Sequence, residues 1–588
     1  MASTQTPWWK DATVYQIYPA SFKDSNNDGI GDLGGIIQSL DYIQSLGVDA
    51  IWVCPMYASP QIDMGYDISD YEAVYPPYGT MEDMDTLISE VHRRDMRIIL
   101  DLVINHTSDQ HEWFKQSRSS KDNPKRDWYM WRPAKYDADG TRHPPNNWRS
   151  NFGDSTWQWD ELTQEYYLHL FCPEQPDLNW ENVETRQAIY QSAMISWLER
   201  GVDGFRVDTV NMYSKPPGLP DAPIKDPGSP WQDAGLVYCN GPHMNMYLEE
   251  MNAILAKYDA MSVGECPFTP DRQRVVDYVS AEKRRLNMVF QFDAVNVGIG
   301  NTIKFLTKPF NYTLVDFKTA IAGTQNLLDG TDAWTTSFIE NHDQARSVSR
   351  FGDDSPQWRT RSAKMLAMLF GCLSGTLYLY QGQELGMVNL PLSVSIEEYK
   401  DVDSSNYYRE MVERSHNDPT AVQKAKAALQ HLARDHARTP MQWTSAKHAG
   451  FTGPEAQPWM FVNSSAAEGI NVADEAGDEF SVLAFWRQTL KLRQQHRDVL
   501  VHGHFDLVDA ENPRVFSFVK SAIHGSGRTL VVCNFSGSDS ELPNYDGLDL
   551  SAAKALLGNV EEDGRYDSPR EGQRDSRLQP WESRLYIL

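Results

Sequence analysis

The 588-residue sequence has little cysteine and comparatively little positive charge. Its six cysteines are scattered, with no Cys-X-X-Cys pair and no histidine cluster at metal-ligand spacing, which favours reduced, buried thiols over disulfides or a zinc site. The formal net charge of -27 disfavours nucleic acid and anionic membrane surfaces as partners, because both are polyanions. An uncharged small molecule is a better match for such a surface.

The sequence also lacks a long apolar run. The most apolar stretch, residues 365–380, is shorter than the roughly 20 residues that cross a bilayer, and it is interrupted by Gly371 and Gly375. The N-terminal residues have no apolar core of the kind found in signal peptides. We therefore expect a cytoplasmic protein without a membrane partner, and we expect it to be a monomer.

What the sequence does contain is a regular alternation of short apolar segments with helical ones. Parallel strands that are separated by helices give this pattern, and eight such units make a (β/α)8 barrel. We therefore predict an α/β protein built on a TIM barrel. The candidate strands are residues 14–18, 50–55, 97–104, 202–207, 261–264, 288–293, 334–340 and 376–380.

Two connections are much longer than barrel loops usually are, and such loops are often functional. Residues 107–175, after strand 3, are rich in Trp, Asn, Pro and Gly and predict an inserted subdomain over the barrel mouth. Residues 381–450, after strand 8, contain charged helical stretches that predict a lid. The barrel would then comprise residues 1–106 and 176–497, and the β-rich residues 498–588 predict a C-terminal antiparallel β-sandwich.

Three acidic residues each follow a candidate strand: Asp208 the fourth, Glu265 the fifth and Asp343 the seventh. A barrel brings these strand ends to one face. Arg206 leaves its strand on the same side as Asp208 and would keep that carboxylate ionised, whereas Glu265 would keep its proton because three clustered acids cannot all ionise cheaply. A protonated acid facing an ionised one is typical of a glycosidase.

Two other interpretations of these acids are open. Asp208 and Arg206 could form a structural ion pair, and the carboxylate cluster could bind magnesium. His106 and His342 at the same rim disfavour the magnesium site, as does Arg206, because an arginine competes for the acids and uncharged donors suit sugar hydroxyls.

Residues 24–32 have the pattern of the first half of a calcium loop, with oxygen-bearing side chains at alternating positions and Gly29 at the sixth. The glutamate expected at the twelfth position is replaced by Gly35. A single calcium or magnesium site and an Asx-rich turn that caps the next helix both fit this pattern.

Eight stretches of the sequence resemble, in order, motifs of the α-amylase family of glycoside hydrolases (glycoside hydrolase family 13). Within that family they are most similar to the yeast and fungal-type maltase and oligo-1,6-glucosidase group. The stretches are residues 8–10, 15–22, 101–106, 175–179, 204–208, 340–343, 380–384 and 437–443.

The resemblance implies a retaining, exo-acting α-glucosidase that needs no cofactor for catalysis. Asp208 would be the nucleophile that forms a glucosyl ester, and Glu265 the acid that protonates the leaving oxygen and then activates water. Asp343 would bind the 2- and 3-hydroxyls of the sugar more tightly as its ring flattens, which is differential binding of the transition state.

The resemblance also assigns the contacts with the substrate. Asp63, paired with Arg438, would bind the non-reducing end, and Tyr66 would stack beneath the glucose. The remaining residues that it implies are His106, His342 and Arg206 around the same ring, and Phe152 and Phe171 at the entrance. For the two phenylalanines, ordinary core packing is the alternative.

The resemblance further implies a structural calcium ion held by Asp24, Asn26, Asp28, Asp32 and the Ile30 carbonyl. At the position after the nucleophile the group often has Val in enzymes that prefer α-1,6 bonds and Thr or Ala in those that prefer α-1,4, so Thr209 favours maltose and short maltooligosaccharides. The residues after the acid, 266–268, match neither subgroup and leave the preference for the leaving group open.

Alternative activities within the group are oligo-1,6-glucosidase action, sucrose hydrolysis and glucosyl transfer. An alternative from another class is a non-catalytic, transporter-associated member of the family. Such members carry a membrane span and lack the acid set, whereas this sequence has all three acids.

Overall fold

The eight predicted strands form one parallel sheet in a computed structural model, which describes residues 6–299, 305, 312–545, 547, 548, 550, 553–562, 565, 566 and 576–588. The strands are β1 Thr13–Ile17, β2 Ala50–Val53, β3 Arg97–Leu102, β4 Gly204–Val207, β5 Met261–Glu265, β6 Met288–Phe290, β7 Thr336–Ser337 and β8 Thr376–Tyr380. Their order in the sheet is β6-β5-β4-β3-β2-β1-β8-β7. The order follows the chain around a circle, which confirms the barrel.

Side chains connect the two ends of this sheet. Thr336 on β7 donates from Oγ1 to the Val289 carbonyl on β6 at 3.1 Å, and Gln291 donates from Nε2 to Thr335 Oγ1 at 2.8 Å. All four residues of β4 are buried, as expected for a strand that is covered on both faces. The carboxyl ends of the strands therefore meet at one face of a closed barrel.

The barrel helices follow the predicted pattern with two local differences. Residues 32–46 have apolar positions that fit one continuous helix, but this helix breaks at Ser39. Residues 183–200, which also have a helical pattern, pass through a π-helical turn, Tyr190–Ile195. The helix after β2 begins with a capping box between Thr80 and Asp83. The longer helices of the barrel are Leu33–Gln38, Leu40–Ser45, Met81–His92, Val183–Ile189, Met244–Leu255, Arg272–Val279, Leu314–Gln325, Arg359–Gly371 and Val482–Gln495.

Residues 107–175 contain a helix, Glu112–Ser119, and a small antiparallel sheet. The sheet has the order Trp131–Arg132, Glu165–Leu168 and Trp157–Asp160. Its buried side chains form an apolar cluster with residues of the loop after β4, such as Met212 and Tyr238. This contact places the insertion beside the carboxyl end of β4.

Residues 381–450 contain a helical hairpin made of Val402–Arg414 and Pro419–Leu432, followed by the short helix Asp435–Arg438. Arg149 of the insertion donates from both terminal nitrogens to Glu410 of the hairpin, at 3.0 and 2.5 Å. Asn406 Nδ2 donates to the Phe152 carbonyl at 3.1 Å. The hairpin and the insertion therefore meet over the barrel mouth.

The C-terminal residues form a five-stranded antiparallel sheet, as predicted. Its strands, in sheet order, are His504–Val508, Val515–Ser521, Arg528–Asn534, Ser583–Ile587 and Lys554–Gly558. Shorter pairs are Ser540–Glu541 with Arg577–Leu578 and Glu561–Glu562 with Arg565–Tyr566. The six cysteines are buried and unpaired. Within the part of the chain that the structure describes, no helix is long and apolar enough to cross a bilayer.

Candidate active site

Asp208 and Glu265 lie at the carboxyl ends of neighbouring strands. Asp208 follows β4 directly, and its backbone N–H donates to the Leu102 carbonyl on β3 at 3.0 Å. Glu265 is the last residue of β5, which pairs in parallel with β4. Barrel topology therefore brings together two acids that are 57 positions apart in the sequence.

A single buried guanidinium contacts both acids. Arg206 is 1% exposed and donates from Nη1 to Asp208 Oδ1 at 2.6 Å and from Nη2 to Glu265 Oε2 at 2.7 Å. Its Nη1 also donates to Asp101 Oδ1 at 2.8 Å. The contact with Asp208 was expected, whereas those with Glu265 and Asp101 were not. Arg206 therefore bridges the two candidate catalytic carboxyl groups.

Three carboxyl groups around one guanidinium cannot all be ionised at neutral pH. Burial raises the pKa of Glu265 to about 8 and that of Asp101 to about 6, and Arg206 opposes both increases. Burial also raises the pKa of Asp208, against the opposing charge of Arg206. The two candidate catalytic acids titrate as a pair. We place their shared proton on Glu265, because a side-chain hydrogen bond from Glu265 lowers the pKa of Asp208 and because Asp208 has the shorter contact with Arg206.

Thr209 lies between the two acids in an unusual backbone conformation. Its φ of 37° and ψ of 42° are in the left-handed region, which β-branched residues rarely adopt. In this conformation its N–H donates to Glu265 Oε2 and its Oγ1 to Asp208 Oδ2, both at 3.2 Å. The strained residue after the candidate nucleophile thus contacts both acids.

Asp343 is surrounded by positive and neutral donors. Arg438 Nη2 and Arg434 Nη1 lie 2.9 and 3.1 Å from its Oδ1, and His342 Nε2 lies 3.2 Å from its Oδ2. Burial alone would raise the pKa of Asp343, but His342 and the two arginines together hold it well below its usual range. Asp343 is therefore ionised throughout the physiological pH range.

Asp63 lies in the same cluster, but its ion-pair partner differs from the expected one. Arg434 Nη2 lies 3.3 Å from Asp63 Oδ1, and Gln175 Nε2 donates to Asp63 Oδ2 at 3.1 Å. Arg438, the predicted partner, contacts Asp343 and Asp401 directly. Burial raises the pKa of Asp63 to about 7, with Arg434 opposing the increase. The pairing of Asp63 with Arg438 is thus corrected to a pairing with Arg434.

Asp401, which the sequence did not single out, joins the two arginines. It lies at the start of the hairpin and accepts from Arg438 Nη1 at 2.6 Å and from Arg434 Nε at 3.0 Å. Its charge balances the two guanidinium groups that also reach Asp63 and Asp343. Residues from the lid therefore complete a network that begins on the barrel.

The predicted aromatic and imidazole contacts lie beside these acids. Tyr66 stacks on His342, with ring centroids 5.2 Å apart, and its hydroxyl lies 2.6 Å from His342 Nε2. His106 Nε2 lies 3.0 Å from the Tyr66 carbonyl oxygen. Burial lowers the pKa of His342 to about 3 and that of His106 to about 4. Both imidazoles are therefore neutral at pH 7, and their contacts with a sugar remain a prediction.

A cavity of about 530 Å³ opens above the acids and is lined on one side by Phe152 and Phe171. The two phenylalanine rings are 5.7 Å apart, and the Arg434 guanidinium lies 4.9 Å from the Phe152 ring. The same lining includes Thr209, Glu265 and Asp343. The two phenylalanines thus border the space in front of the acids. Their contact with substrate remains a prediction.

The calcium-like loop carries only oxygen donors, the type that calcium prefers. The side chains of Asp24, Asn26, Asp28 and Asp32 accept hydrogen bonds from backbone N–H groups at 2.6 to 3.0 Å, as an Asx-rich turn would. No three His, Cys, Asp or Glu side chains among the described residues are arranged to hold a metal ion. A cation here would need the Asn26 amide and the Ile30 carbonyl too, and its presence remains a prediction.

The sequence analysis did not identify several residues that hold the predicted site residues in position. Asp101 and Gln175 stand inside stretches that resemble family motifs, so a signal for them existed. Gln16, whose Nε2 lies 2.9 Å from His342 Nδ1, stands in another such stretch. Asp401 and Arg434 lie in the long segment after β8, and no pattern in the sequence places them at the barrel mouth.

Comparisons with known proteins show the family of the chain. A family model described as the α-amylase catalytic domain matches residues 16–503. An α-glucosidase of Candida albicans is 50% identical over 99% of both chains, and an oligo-1,6-glucosidase of Saccharomyces cerevisiae is 48% identical over 99% of this chain and 98% of its own. A variant of the trehalulose synthase MutB, solved in complex with the substrate sucrose, has a TM-score of 0.89 and 40% identity and covers 99% of this chain and all of its own. The chain therefore belongs to the α-amylase family of glycoside hydrolases.

Proposed function

We propose that the protein is a retaining α-glucosidase that releases terminal glucose from maltose and short maltooligosaccharides through a covalent glucosyl-enzyme. The bridging of Asp208 and Glu265 by Arg206 carries this proposal. Oxygens that bind the two terminal nitrogens of one guanidinium lie close together. This fits the separation of about 5 to 5.5 Å in retaining glycosidases better than that of about 6.5 to 9.5 Å in inverting ones.

In the first step, the ionised Asp208 attacks the anomeric carbon while the bond from that carbon to the glycosidic oxygen breaks. Glu265 gives its proton to the departing oxygen, so the leaving sugar departs as a neutral alcohol. Asp208 is then an ester of glucose, and Glu265 is ionised. Arg206 contacts both groups and stabilises the negative charge wherever it resides.

In the second step, Glu265 accepts a proton from a water molecule whose oxygen attacks the same carbon. The bond to Asp208 breaks, glucose leaves and both carboxyl groups return to their starting states. Two inversions give net retention, so the product is α-glucose.

The cluster of Asp63, Asp343, Arg434 and Arg438 supports binding of one terminal sugar. These residues are at most a quarter exposed and present fixed charges to a neutral ring. A network of charged side chains holds its geometry before the ligand arrives and so favours one orientation of the hydroxyl groups. Because these side chains close the inner end of the pocket, it would accept only the end of a sugar chain. The enzyme would therefore remove terminal glucose, which is exo-action.

Thr209 supports α-1,4 specificity through the family pattern described above. The relatives include proteins named α-glucosidase and oligo-1,6-glucosidase at nearly the same identity, so linkage rests on this residue and not on overall similarity. Oligo-1,6-glucosidase activity is the second candidate, and sucrose hydrolysis and glucosyl transfer are others. The MutB structure with sucrose adds support for sucrose as a competing substrate.

Initial rates on maltose, isomaltose and sucrose test the proposed linkage, with maltose expected to give the highest kcat/KM. A higher value for isomaltose would refute the argument from Thr209. Proton NMR of the first product tests the mechanism, and α-glucose is expected before mutarotation. Asp208→Asn is expected to abolish turnover while the circular dichroism spectrum and Tm stay close to those of the wild type.

A further inference from the structure

A second cavity lies at the opposite end of the barrel from the candidate active site. It has a volume of about 230 Å³ and shares no lining residue with the cavity above the acids. Several of its lining residues come shortly before strands: Asn287 immediately precedes β6, Trp334 lies two residues before β7, and Lys10 lies three residues before β1. The amino ends of the strands therefore border this cavity, whereas the acids follow the carboxyl ends.

The charged residues that line this second cavity are three basic ones and one acidic one, Lys10, Arg284, Arg285 and Asp332. This excess of positive charge contrasts with the formal net charge of -27 for the whole chain. Arg285 is buried, and its terminal nitrogens lie 2.8 Å from Glu249 Oε1 and 2.6 Å from Asp277 Oδ2. Its charge is thus balanced by the protein and is not available to a ligand.

Lys10 and Arg284, by contrast, make no ion pair and no side-chain hydrogen bond with any residue that the structure describes. Lys10 Nζ lies over two indole rings, 5.6 Å from the Trp9 centroid and 4.7 Å from the Trp334 centroid. Burial lowers the pKa of Lys10, and the charge of Asp332 opposes this decrease. The rings therefore hold an ammonium group beside the cavity while its N–H groups have no oxygen acceptor.

Arg284 belongs to a strained turn. Its φ of 54° is in the left-handed region, which residues with long side chains rarely adopt. Such strain persists only where the surrounding structure enforces it, and the Leu286 N–H fixes this turn by donating to the Tyr278 carbonyl at 3.0 Å. Arg285 is buried by this arrangement, whereas Arg284 stays exposed and lines the cavity.

Two asparagines in the lining supply uncharged groups of fixed orientation. Asn287 Oδ1 accepts from the Ser262 N–H at 2.8 Å, so its Nδ2 is left to donate to a ligand. Asn252 Nδ2 donates to the Arg285 carbonyl at 3.1 Å, so its Oδ1 is left to accept from one. One amide therefore suits an anion, and the other suits a hydroxyl group.

Asp332 would repel an anion, but its charge is partly offset within its own loop. Its Oδ2 accepts from Ser280 Oγ at 3.1 Å and from the Glu282 N–H at 2.8 Å. Lys10 and Arg284 also outnumber it around the cavity. The balance of charge that a ligand meets here is therefore positive.

We propose that this cavity binds a small phosphorylated polyol, such as a sugar phosphate. Arginine and lysine recognise phosphate oxygens through charge-assisted hydrogen bonds, so Arg284 and Lys10 would bind the phosphate. Asn287 would donate to the same group, and Asn252 would accept from a hydroxyl group. The cavity is smaller than the roughly 300 Å³ at which pockets for drug-sized ligands begin, which limits the ligand to about one sugar unit. This inference is independent of the proposed glucosidase function.

Isothermal titration calorimetry of the full chain at low salt, with glucose 6-phosphate, inorganic phosphate and glucose, tests the site. We expect Arg284→Gln to weaken the binding of glucose 6-phosphate at least about tenfold, the scale of one lost hydrogen bond to a charged group, and to leave the binding of glucose unchanged. Lys10→Met, which keeps an apolar stem against the indoles, is expected to weaken it similarly. Inorganic phosphate is expected to bind more weakly than glucose 6-phosphate, because it has no sugar hydroxyl for Asn252.

Lys283→Gln is the matched control, because Lys283 is exposed, directly precedes Arg284 and lies outside the lining. It removes the same charge and is expected to leave the Kd for glucose 6-phosphate within about twofold of the wild-type value. Equal weakening by Lys283→Gln and Arg284→Gln would reveal only general attraction and would overturn the site. A Kd that Arg284→Gln does not change, or a wild type that binds glucose as tightly as glucose 6-phosphate, would also overturn it. Equal affinity for inorganic phosphate would refute the polyol part of the proposal.

Discussion

Asp401 Oδ2 lies 2.6 Å from Arg438 Nη1, and both side chains are no more than 2% exposed. The same carboxylate caps the first hairpin helix, where its Oδ1 accepts from the Asp403 N–H at 3.0 Å. Arg438 in turn reaches Asp343 at 2.9 Å. One residue therefore both begins the lid helix and fixes an arginine of the candidate glucose pocket.

Asp401→Asn is expected to separate these two roles. Asparagine is as good a helix N-cap as aspartate, so the helix keeps its start, but two buried arginines lose their shared negative charge. We expect KM for maltose to rise at least about tenfold, with a smaller change in kcat, because the arginines no longer hold Asp63 and Asp343 in fixed positions. Steady-state kinetics give both values.

Asp418→Asn is the matched control for that variant. Asp418 caps the second hairpin helix by accepting from the Ala421 N–H at 2.9 Å, and it is exposed. It is expected to leave KM within about twofold of the wild-type value. If the two variants raise KM equally, Asp401 acts only through the stability of the hairpin.

The pH dependence of kcat/KM on maltose is expected to show an alkaline limb near pH 8. Burial raises the pKa of Glu265 to about 8, and this group must hold its proton to donate it. Activity therefore falls as the pH rises through that value. A profile measured from pH 5 to 10 gives the position of the limb.

α-Glucosyl fluoride provides the internal comparison for that profile, because fluoride leaves without a proton from Glu265. Its kcat/KM is expected to lack the limb near pH 8. A limb at the same pH on both substrates would assign the titration to another group and would contradict the role of Glu265 as the acid.

Thr209→Val is expected to lower kcat/KM on maltose and to raise the ratio of isomaltose to maltose activity several-fold. The variant keeps the β-branched shape but loses the hydroxyl that donates to Asp208 Oδ2 at 3.2 Å. Rates on the two disaccharides measure the ratio, and Thr209→Ser, which keeps the hydroxyl, serves as the comparison. An unchanged ratio in Thr209→Val would remove the basis for α-1,4 specificity.

The sequence was sufficient to predict the barrel and its two catalytic acids. Both predictions depend only on short segments of sequence and on their order along the chain. Asp208 and Glu265 follow apolar strands directly, and strand ends in a parallel barrel converge whatever the loops do. The break at Ser39 was not predictable in this way, because the apolar positions of residues 32–46 fit one continuous helix. Where such a helix ends depends on its packing against elements that are distant in the sequence.

Arg434 and Asp401 show why the rest of the site was missed. Arg434 is the partner of Asp63, yet the two are 371 positions apart, and the lid that brings them together has no strand to fix its direction. The resemblance therefore suggested the nearby Arg438, which lies one helical turn further along. In the structure Arg434 reaches Asp63, whereas Arg438 reaches Asp343 and Asp401.

Calcium is expected to raise the Tm if the loop of residues 24–32 binds it. A cation that binds the folded chain alone stabilises it by mass action, so the Tm would increase with calcium concentration and return to its starting value with a chelator. Asp28→Asn keeps the oxygen that accepts from the Ile30 N–H at 2.9 Å but removes one charge from the ligand set. We expect this variant to retain the Tm of the calcium-free wild type and to lose most of the increase. A wild-type Tm that is the same with millimolar calcium and with chelator would favour the Asx-rich turn, which the hydrogen bonds of Asp24 and Asn26 already satisfy.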